Sequence, residues 1–487
     1  MTDDPRHPDR PAAAALAADD DTTPLPTGWR VPLSLLVLAA PIIASMVSRT
    51  AMSFVDFLMV STLGTEAQAA IMPAGILLFC VISFGMGALS AVSTFVSQAL
   101  GRRTPHECGA YAWQGMHLSA VIAALSLAFY PFVPAFFEWV GHAPNVQAME
   151  VSYVRIGLLG MFPALASLAL SNFANGIHKP MVGFWSMLAA NLFNLVANYA
   201  LIFGHWGFPA MGIAGAAWAT QLAGLLQAVI ILAWMLTPSL ARTFNTRRAW
   251  PFDPARFAAL LRIGTPAGIQ FTIDISAFTI FTLLLVGQFG TIQLAAHNLT
   301  FKCLEVSFMP VIGLGTALTA MVGKAIGHGR PDHARLVTRW AAGFSMAYMG
   351  LIGLTYVLAG PTLARLLTFD DADAPAVVAL ASQLLLLCAV FQMFDALGIT
   401  HISALRGAGD NHWPAVVGGT MAFTLLVGGG YLIAWLWPQG GAVGPWIAAT
   451  VFISTVGLTM WARWHFGPWE RISLFPHPTP APATAAA

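Results

Sequence analysis

The chain has 487 residues, of which 57% are hydrophobic and only 9% charged, with a formal net charge of +1. Soluble domains carry about 25% charged residues, so this is the composition of a membrane-embedded chain, and a net charge near zero argues against a nucleic-acid partner. Cys80, Cys108, Cys303 and Cys388 show no CxxC spacing and three of them sit in apolar runs, which argues against a disulfide frame or a zinc site.

Residues 1–30, rich in Pro, Ala and Asp, read as a disordered cytoplasmic tail, with no apolar core for a cleavable signal peptide. A bilayer span needs roughly 20 apolar residues. Twelve segments meet that need, near 32–62, 69–100, 107–135, 147–175, 181–204, 211–237, 258–287, 291–326, 335–367, 376–404, 414–436 and 441–464. Pro41, Pro73, Pro163, Pro266 and Pro310 fall inside spans, where helices kink around a polar cavity. Residues 238–257 separate the sixth and seventh spans, and 467–487 form a tail that turns Pro/Ala/Thr-rich from 475 and is expected to be unstructured there.

Basic residues cluster in alternate loops. Arg102 and Arg103 follow the second span, Lys179 the fourth, and Arg242, Arg247, Arg248, Arg256 and Arg262 the sixth. Lys324, Arg330 and Arg335 surround the loop after the eighth, and Arg406 follows the tenth. The loops after the first, third, fifth, seventh and eleventh spans have none, and the loop after the ninth is acidic (Asp370, Asp371, Asp373). The positive-inside rule then places both termini in the cytoplasm.

The two halves repeat. Gly64-Thr65-x-x-x-Ala69-Ala70 recurs 226 residues later as Gly290-Thr291-x-x-x-Ala295-Ala296, and Gly101-x-x-x-Pro105 recurs at the same offset as Gly327-x-x-x-Pro331. Pro41 pairs with Pro266, and Gly212-x-x-Gly215 with Gly441-x-x-Gly444. Each copy has an even number of spans, so both insert the same way up. The expected fold is an all-α polytopic membrane protein. Its twelve transmembrane helices form two six-helix lobes, 31–237 and 258–466, related by a pseudo-two-fold along the membrane normal, with a cavity between them and 238–257 as a cytoplasmic inter-lobe linker.

Charged groups inside spans are costly and usually face a cavity or a partner. Here they are Arg49, Asp56, Asp274, Lys302, Glu305 and Asp395. Asp274 and Lys302 lie roughly 24 Å and 18 Å from the turn near Gly290, so a lysine could bridge them, either as a structural pair or as a switch released when the acid is protonated. Glu305, one turn from Lys302, either holds that lysine or competes for it. Asp56 with Asn194 and Asn198, which share a helix face, suits a small cation or else interhelical hydrogen bonding. Asp395 follows an apolar run and suits proton uptake and release, or a helix-packing hydrogen bond. Arg49 is poorly aimed at Asp56, because helical side chains lean toward the N-terminus. His297 and His401 could titrate, though such residues are usually packed and hydrogen-bonded. Phe278, Phe281, Phe308, Phe391, Phe394, Met309 and Met393 are candidates to line a promiscuous apolar cavity, against the plainer reading of core or lipid-facing residues.

Several stretches resemble the multidrug and toxic compound extrusion (MATE) transporters, and within them the NorM-like branch: Ser53-Phe-Val-Asp56, Asn194-x-x-x-Asn198, Leu201-Ile-Phe-Gly204, Gly212-x-x-Gly215-Ala-Ala-Trp-Ala-Thr220, Ala295-Ala-His297 and Leu405-Arg-Gly-Ala-Gly-Asp410. The resemblance covers about residues 31–466 and implies a V-shaped, two-lobe exporter that exchanges drug-like, often cationic, compounds for Na⁺ or H⁺. It places Asp56, Asn194, Asn198 and Thr220 in an amino-lobe cation site, and Asp274 and Asp395 at carboxyl-lobe acids. Phe391 stands where a tyrosine is frequent and Lys302 where an asparagine is common; both departures remove oxygen ligands, which favours H⁺ over Na⁺ in that lobe. The expected protein is a secondary active antiporter of the bacterial inner membrane. It acts as a monomer on small drug-like molecules, with no cofactor, no firm metal site and no P-loop. The rivals are a lipid-linked oligosaccharide flippase, which would need more basic residues in the cavity, and a polytopic membrane enzyme, for which no metal cluster or nucleophile elbow is found.

Overall fold

A computed structural model describes residues 25–368 and 373–475. The helices are α1 Arg30–Ser61, α2 Thr65–Gly101, α3 Pro105–Leu127, α4 Val133–Val140, α5 Pro144–Leu159, α6 Met161–Gly176, α7 Met181–Phe203, α8 Ile213–Met235, α9 Pro238–Phe244, α10 Pro254–Ile280, α11 Thr291–Gly327, α12 Pro331–Leu367, α13 Ala374–Ala408, α14 His412–Met421, α15 Gly429–Leu436 and α16 Val443–Phe466. No strand occurs among the described residues. Eleven helical stretches are long and apolar enough to cross a membrane, and α5 with α6, bent by 48° at Gly160, makes the twelfth. The bend has a local cause: Pro163 cannot donate to the carbonyl of Leu159, and its ring crowds that oxygen.

Local chemistry sets the other boundaries. Proline opens α3, α5, α10 and α12, where a missing N–H costs nothing. Asp253 caps α10 by accepting from the backbone N–H of Ala255 and Arg256 at 3.0 and 3.1 Å. The repeated Gly-Thr turns are explained by backbone angles: Gly64 and Gly290 have φ of 114° and 96°, a region open to glycine alone. Two π-helical stretches, Phe281–Val286 after α10 and Ala422–Gly428 between α14 and α15, interrupt otherwise regular spans, a deviation common near functional sites.

The lobes exchange the starts of their first helices. Val31, Leu35 and Ile42 of α1 are buried among α11, α13 and α16 residues such as Leu318, Leu405 and Trp464. Reciprocally, Leu260 and Ile263 of α10 join the core of the first lobe with Phe95, Leu165 and Phe173. Gly101 and Gly327, equivalent in the repeat, face each other where α2 and α11 end. A Cβ on either would strike the other helix's backbone, so only glycine permits this approach. Thr94 Oγ1 donates to Arg406 O at 3.0 Å and Gln98 Nε2 to Gly407 O at 2.9 Å, tying α2 to the end of α13 across the two lobes.

This closed end also carries the last described residues. After α16, Trp469 stacks on Trp464 with ring centroids 4.0 Å apart, and Glu470 pairs with Arg335 at 2.8 Å. Phe475 then crosses to the first lobe, edge-on to Phe95 and Tyr111 with the Arg102 guanidinium 4.7 Å from its ring. Phe475 was expected to open an unstructured stretch, but it is buried, because the aromatic pocket of α2 and α3 takes its ring. The expectation of a disordered amino-terminal tail lies largely outside the described residues, as do Asp370 and Asp371. Arg406, expected in a loop, lies inside α13.

Candidate functional site

A single face of α1 reveals the cleft. At 100° per residue, Val31, Leu35, Leu38 and Ile42 lie on one stripe and are buried between the lobes. Further along the same stripe, Arg49 and Ser53 are exposed and Asp56 is partly so. The opposite stripe holds Leu36, Val47, Phe54 and Leu58, all exposed and apolar, as a lipid-facing surface should be. Exposure on the inward stripe therefore means a cavity: the lobes are closed at the terminal end and parted at the far end.

In the first lobe, Asp56 of α1 meets Asn194 and Asn198 of α7 and Thr220 of α8. Asn198 Nδ2 donates to Asp56 Oδ1 at 2.5 Å. The facing amide atom of Asn194 stands 2.9 Å from the same Oδ1. As nitrogen it donates; as oxygen it leaves two acceptors together, which a proton or small cation would bridge. Asn198 Oδ1 is buried with no partner among the described residues. Such an orphan oxygen beside a carboxylate is a costly arrangement unless something positive visits it. The four residues that the resemblance grouped are thus contiguous.

In the second lobe the expected pairing is different. Lys302 Nζ bonds Glu305 Oε2 at 2.7 Å, with 72% of the lysine side chain exposed, so the proposed Asp274–Lys302 bridge is absent. The reason is distance in sequence: Glu305 lies one turn along the same helix and is met without ordering a second element. The charge acting on Asp274 is Arg406. Its Nη2 donates to Gln270 Oε1 at 3.1 Å, one turn before Asp274, and its guanidinium lies 4.8 Å from the Phe271 ring. Asp395 faces inward, opposite the exposed Leu386 and Val390 of α13. Neither Asp274 nor Asp395 has a side-chain hydrogen bond among the described residues, and Arg49 has neither an ion pair nor a side-chain hydrogen bond there.

The apolar candidates divide. Phe281 and Phe391 are each 1% exposed and belong to the core of the second lobe, so they do not line a cavity. Met393 is drawn away toward Gly350 of α12, and the backbone of Phe394 packs on Gly457 of α16. Phe278, on the Asp274 face of α10, packs against Phe301 and Phe452 and stays partly exposed, as do Phe308 and Met309. His297 bonds Thr282 Oγ1 at 2.9 Å and His401 bonds Leu397 O at 2.8 Å, both as packed residues. Arg406 escaped the sequence reading because its position beside a Gly-rich stretch resembled a loop. The signal was in the Leu405–Asp410 motif itself, whose Asp410 pairs with Arg463 at 2.8 Å.

The sequence model of the MatE family matches residues 41–200 and 266–432, one block in each lobe. A "probable multidrug resistance protein NorM" of Rhizobium meliloti (strain 1021) is 29% identical over 456 residues, covering 93% of this chain and 95% of that protein. The multidrug resistance protein NorM of Burkholderia vietnamiensis is 32% identical over 439 residues, 88% of this chain and 92% of that one. Among solved structures, an outward-facing multidrug resistance MATE family transporter of the MOP superfamily superposes with a TM-score of 0.81 at 18% identity, over 89% of this chain and 95% of that one.

Proposed function

This chain belongs to the MatE family of multidrug efflux transporters, integral membrane proteins, and on that premise we propose that it is a secondary active antiporter. It exports drug-like, mainly cationic, small molecules and takes up H⁺, with Na⁺ as the alternative coupling ion. The observation that carries this reading is the cleft itself: a cavity closed at one end, with carboxylates from both lobes turned into the protein interior and away from lipid. The closed end is assigned to the cytoplasm by the positive-inside rule, so the conformation described is outward-open.

Coupling needs only that the ion and the cargo prefer different states. In the second lobe a proton suits the acids better than Na⁺ does, because Arg406 opposes a second cation near Asp274 and Phe391 contributes no oxygen. The consequence for the lobes is mechanical. Arg406 donates to Gln270 beside Asp274, and its own carbonyl accepts from Thr94 of the other lobe. Protonating Asp274 removes the negative charge that acts on the Arg406 guanidinium, in a residue whose backbone carbonyl is bonded to the other lobe. In the first lobe, Asp56 with the spare Asn198 oxygen offers a cation site that a proton or Na⁺ could use. Efflux from proteoliposomes under separately imposed pH and Na⁺ gradients tests the reading. Drug movement driven by a pH gradient without Na⁺ is expected; strict Na⁺ dependence at fixed pH overturns the proton assignment, and movement without either gradient overturns antiport.

A further inference from the structure

We propose that the inter-lobe linker and the flank of α3 form a binding site for one anionic phospholipid of the cytoplasmic leaflet, its phosphate on Arg247 and an acyl chain along Trp113, Leu236 and Trp250. The site stands on contacts within the protein. Only the choice of leaflet rests on the orientation given by the positive-inside rule.

The linker is fastened to α3 along several turns. Gly109 admits the carbonyl of Phe244, which a Cβ would strike. Further along α3, Trp113 Nε1 donates to Thr246 O at 2.7 Å and Gln114 Nε2 to Pro251 O at 3.1 Å. Thr246 Oγ1 donates to Met235 O at 2.7 Å, which ties the same segment to the end of α8. These contacts frame a cavity of about 480 Å³ lined by Trp113, His117, Leu236, Arg247 and Trp250. Its depth follows from α8. The 23 residues of that helix span about 34 Å, slightly more than the roughly 30 Å of a bilayer's hydrocarbon. Leu236, the next residue, therefore stands where acyl chains give way to headgroups.

The chemistry of the cavity is two-sided. Trp113, Leu236 and Trp250 give it an apolar wall, and Trp250 and Phe252 are 62% and 55% exposed. Such exposure is costly in water but suits the membrane boundary, where tryptophan is enriched. The rim is basic. From Thr237 to Arg262 the chain has five arginines and one acid, Asp253, and Arg256 pairs with that acid at 2.6 Å. Arg242, Arg247 and Arg248 are exposed and have no ion pair among the described residues. Arg247 Nε donates to Leu236 O at 2.8 Å, which fixes its guanidinium at the cavity. The two terminal nitrogens have no bond among the described residues, and their planar fork matches a phosphate. The end of α8 opposes an anion with about half a negative charge, which three guanidiniums outweigh. A free phosphate would leave the apolar wall uncovered, and a choline headgroup would bring a cation to a basic rim. An anionic phospholipid satisfies both sides.

The test counts bound lipid by native mass spectrometry of the full chain in detergent. The chain is titrated with dioleoyl phosphatidylglycerol or dioleoyl phosphatidylcholine, with and without inorganic phosphate. One phosphatidylglycerol is expected to stay bound where phosphatidylcholine does not, and inorganic phosphate should not displace it. Arg247→Gln should weaken this binding roughly fivefold or more, the scale of one arginine removed from an anionic membrane contact. Arg330→Gln, which takes the same charge from another loop, should stay within about twofold of wild type. Trp250→Ala should weaken the lipid severalfold, and it carries the test alone if Arg247→Gln does not fold. Equal losses in the two arginine variants would mean diffuse attraction and overturn the proposal. Equal retention of both lipids, displacement by inorganic phosphate, or wild-type binding by Trp250→Ala would overturn it too. A reversed topology would overturn the choice of leaflet and leave the site standing.

Discussion

Asn198 holds Asp56 with its nitrogen and leaves its own oxygen free, so one side chain both orients the carboxylate and extends the ligand set. Replacing Asp56 by Asn retains shape and hydrogen bonding but removes the charge. The expected outcome is normal insertion with coupled efflux reduced at least tenfold, measured in proteoliposomes; wild-type pumping by Asp56→Asn would make the cluster a packing device. Asp395→Asn is expected to lose proton-driven efflux in the same way, since among the described residues Asp395 has no side-chain hydrogen bond whose loss could explain a structural defect. Arg406→Gln addresses the link to the other lobe. It keeps a polar group near Gln270 but leaves Asp274 without its counter-charge, so drug-dependent proton release, followed with a pH dye in detergent, should fall while Asp395 remains intact. These positions were named from residue type and motif, with one exception: Arg406. A sequence places a residue along the chain, but the side-chain reach that brings the Arg406 guanidinium to Gln270, one turn before Asp274, is tertiary.

At the scale of elements, the glycines and caps show which local choices matter. Gly327→Ala puts a Cβ into the carbonyl of Gln98 across the interface, and α2 and α11 must then separate. Loss of the closed terminal end is expected, seen as a lower thermal midpoint in detergent and new labelling of a cysteine placed near Thr94; an unchanged midpoint and protection would show that the helices yield without parting. The start of α10 has a pH signature. Asp253 accepts from two backbone N–H groups and from Arg256 Nη1 at 2.6 Å, and these bonds, the Arg256 N–H foremost, hold its carboxyl below the usual range. A depressed folded pKa means the stabilisation is complete above the unfolded value near 3.9 and is lost as pH falls through the folded one. Asp253→Ala should cost about 1 kcal/mol at neutral pH, the usual worth of such a cap, and the difference from wild type should shrink only in strong acid.

At the scale of the whole molecule, the segment after α16 straps one lobe to the other. Trp469 and Glu470 anchor it on the second lobe, and Phe475 seats it on the first. Phe475→Ala empties that seat, so the closed end should open more readily, read as faster turnover of labelling at the lobe interface with little change in the stability of either lobe. The orientation has its own test. In a cysteine-free background, a cysteine beside Arg102 should resist an impermeant thiol reagent in intact cells and one at Asp373 should react; the reverse pattern would invert the topology and make the cleft inward-open.

The spans, their number, the repeat and the inward acids were all legible in the sequence, because each depends on a one-dimensional property: a run of apolar residues long enough for a bilayer, a recurring turn glycine, a charge where lipid forbids one. The bend at Gly160 was legible through Pro163 for the same reason. What partners those charges take was not. Lys302 had two acids within plausible reach, and only the packed helices show that it bonds Glu305 while Arg406 attends Asp274. Phe281 and Phe391 face inward by periodicity just as cavity residues do. Whether an inward face meets a neighbour or empty space depends on how far apart two lobes stand, a quantity set by the Gly101–Gly327 contact and the strap at Phe475, hundreds of residues apart in the chain.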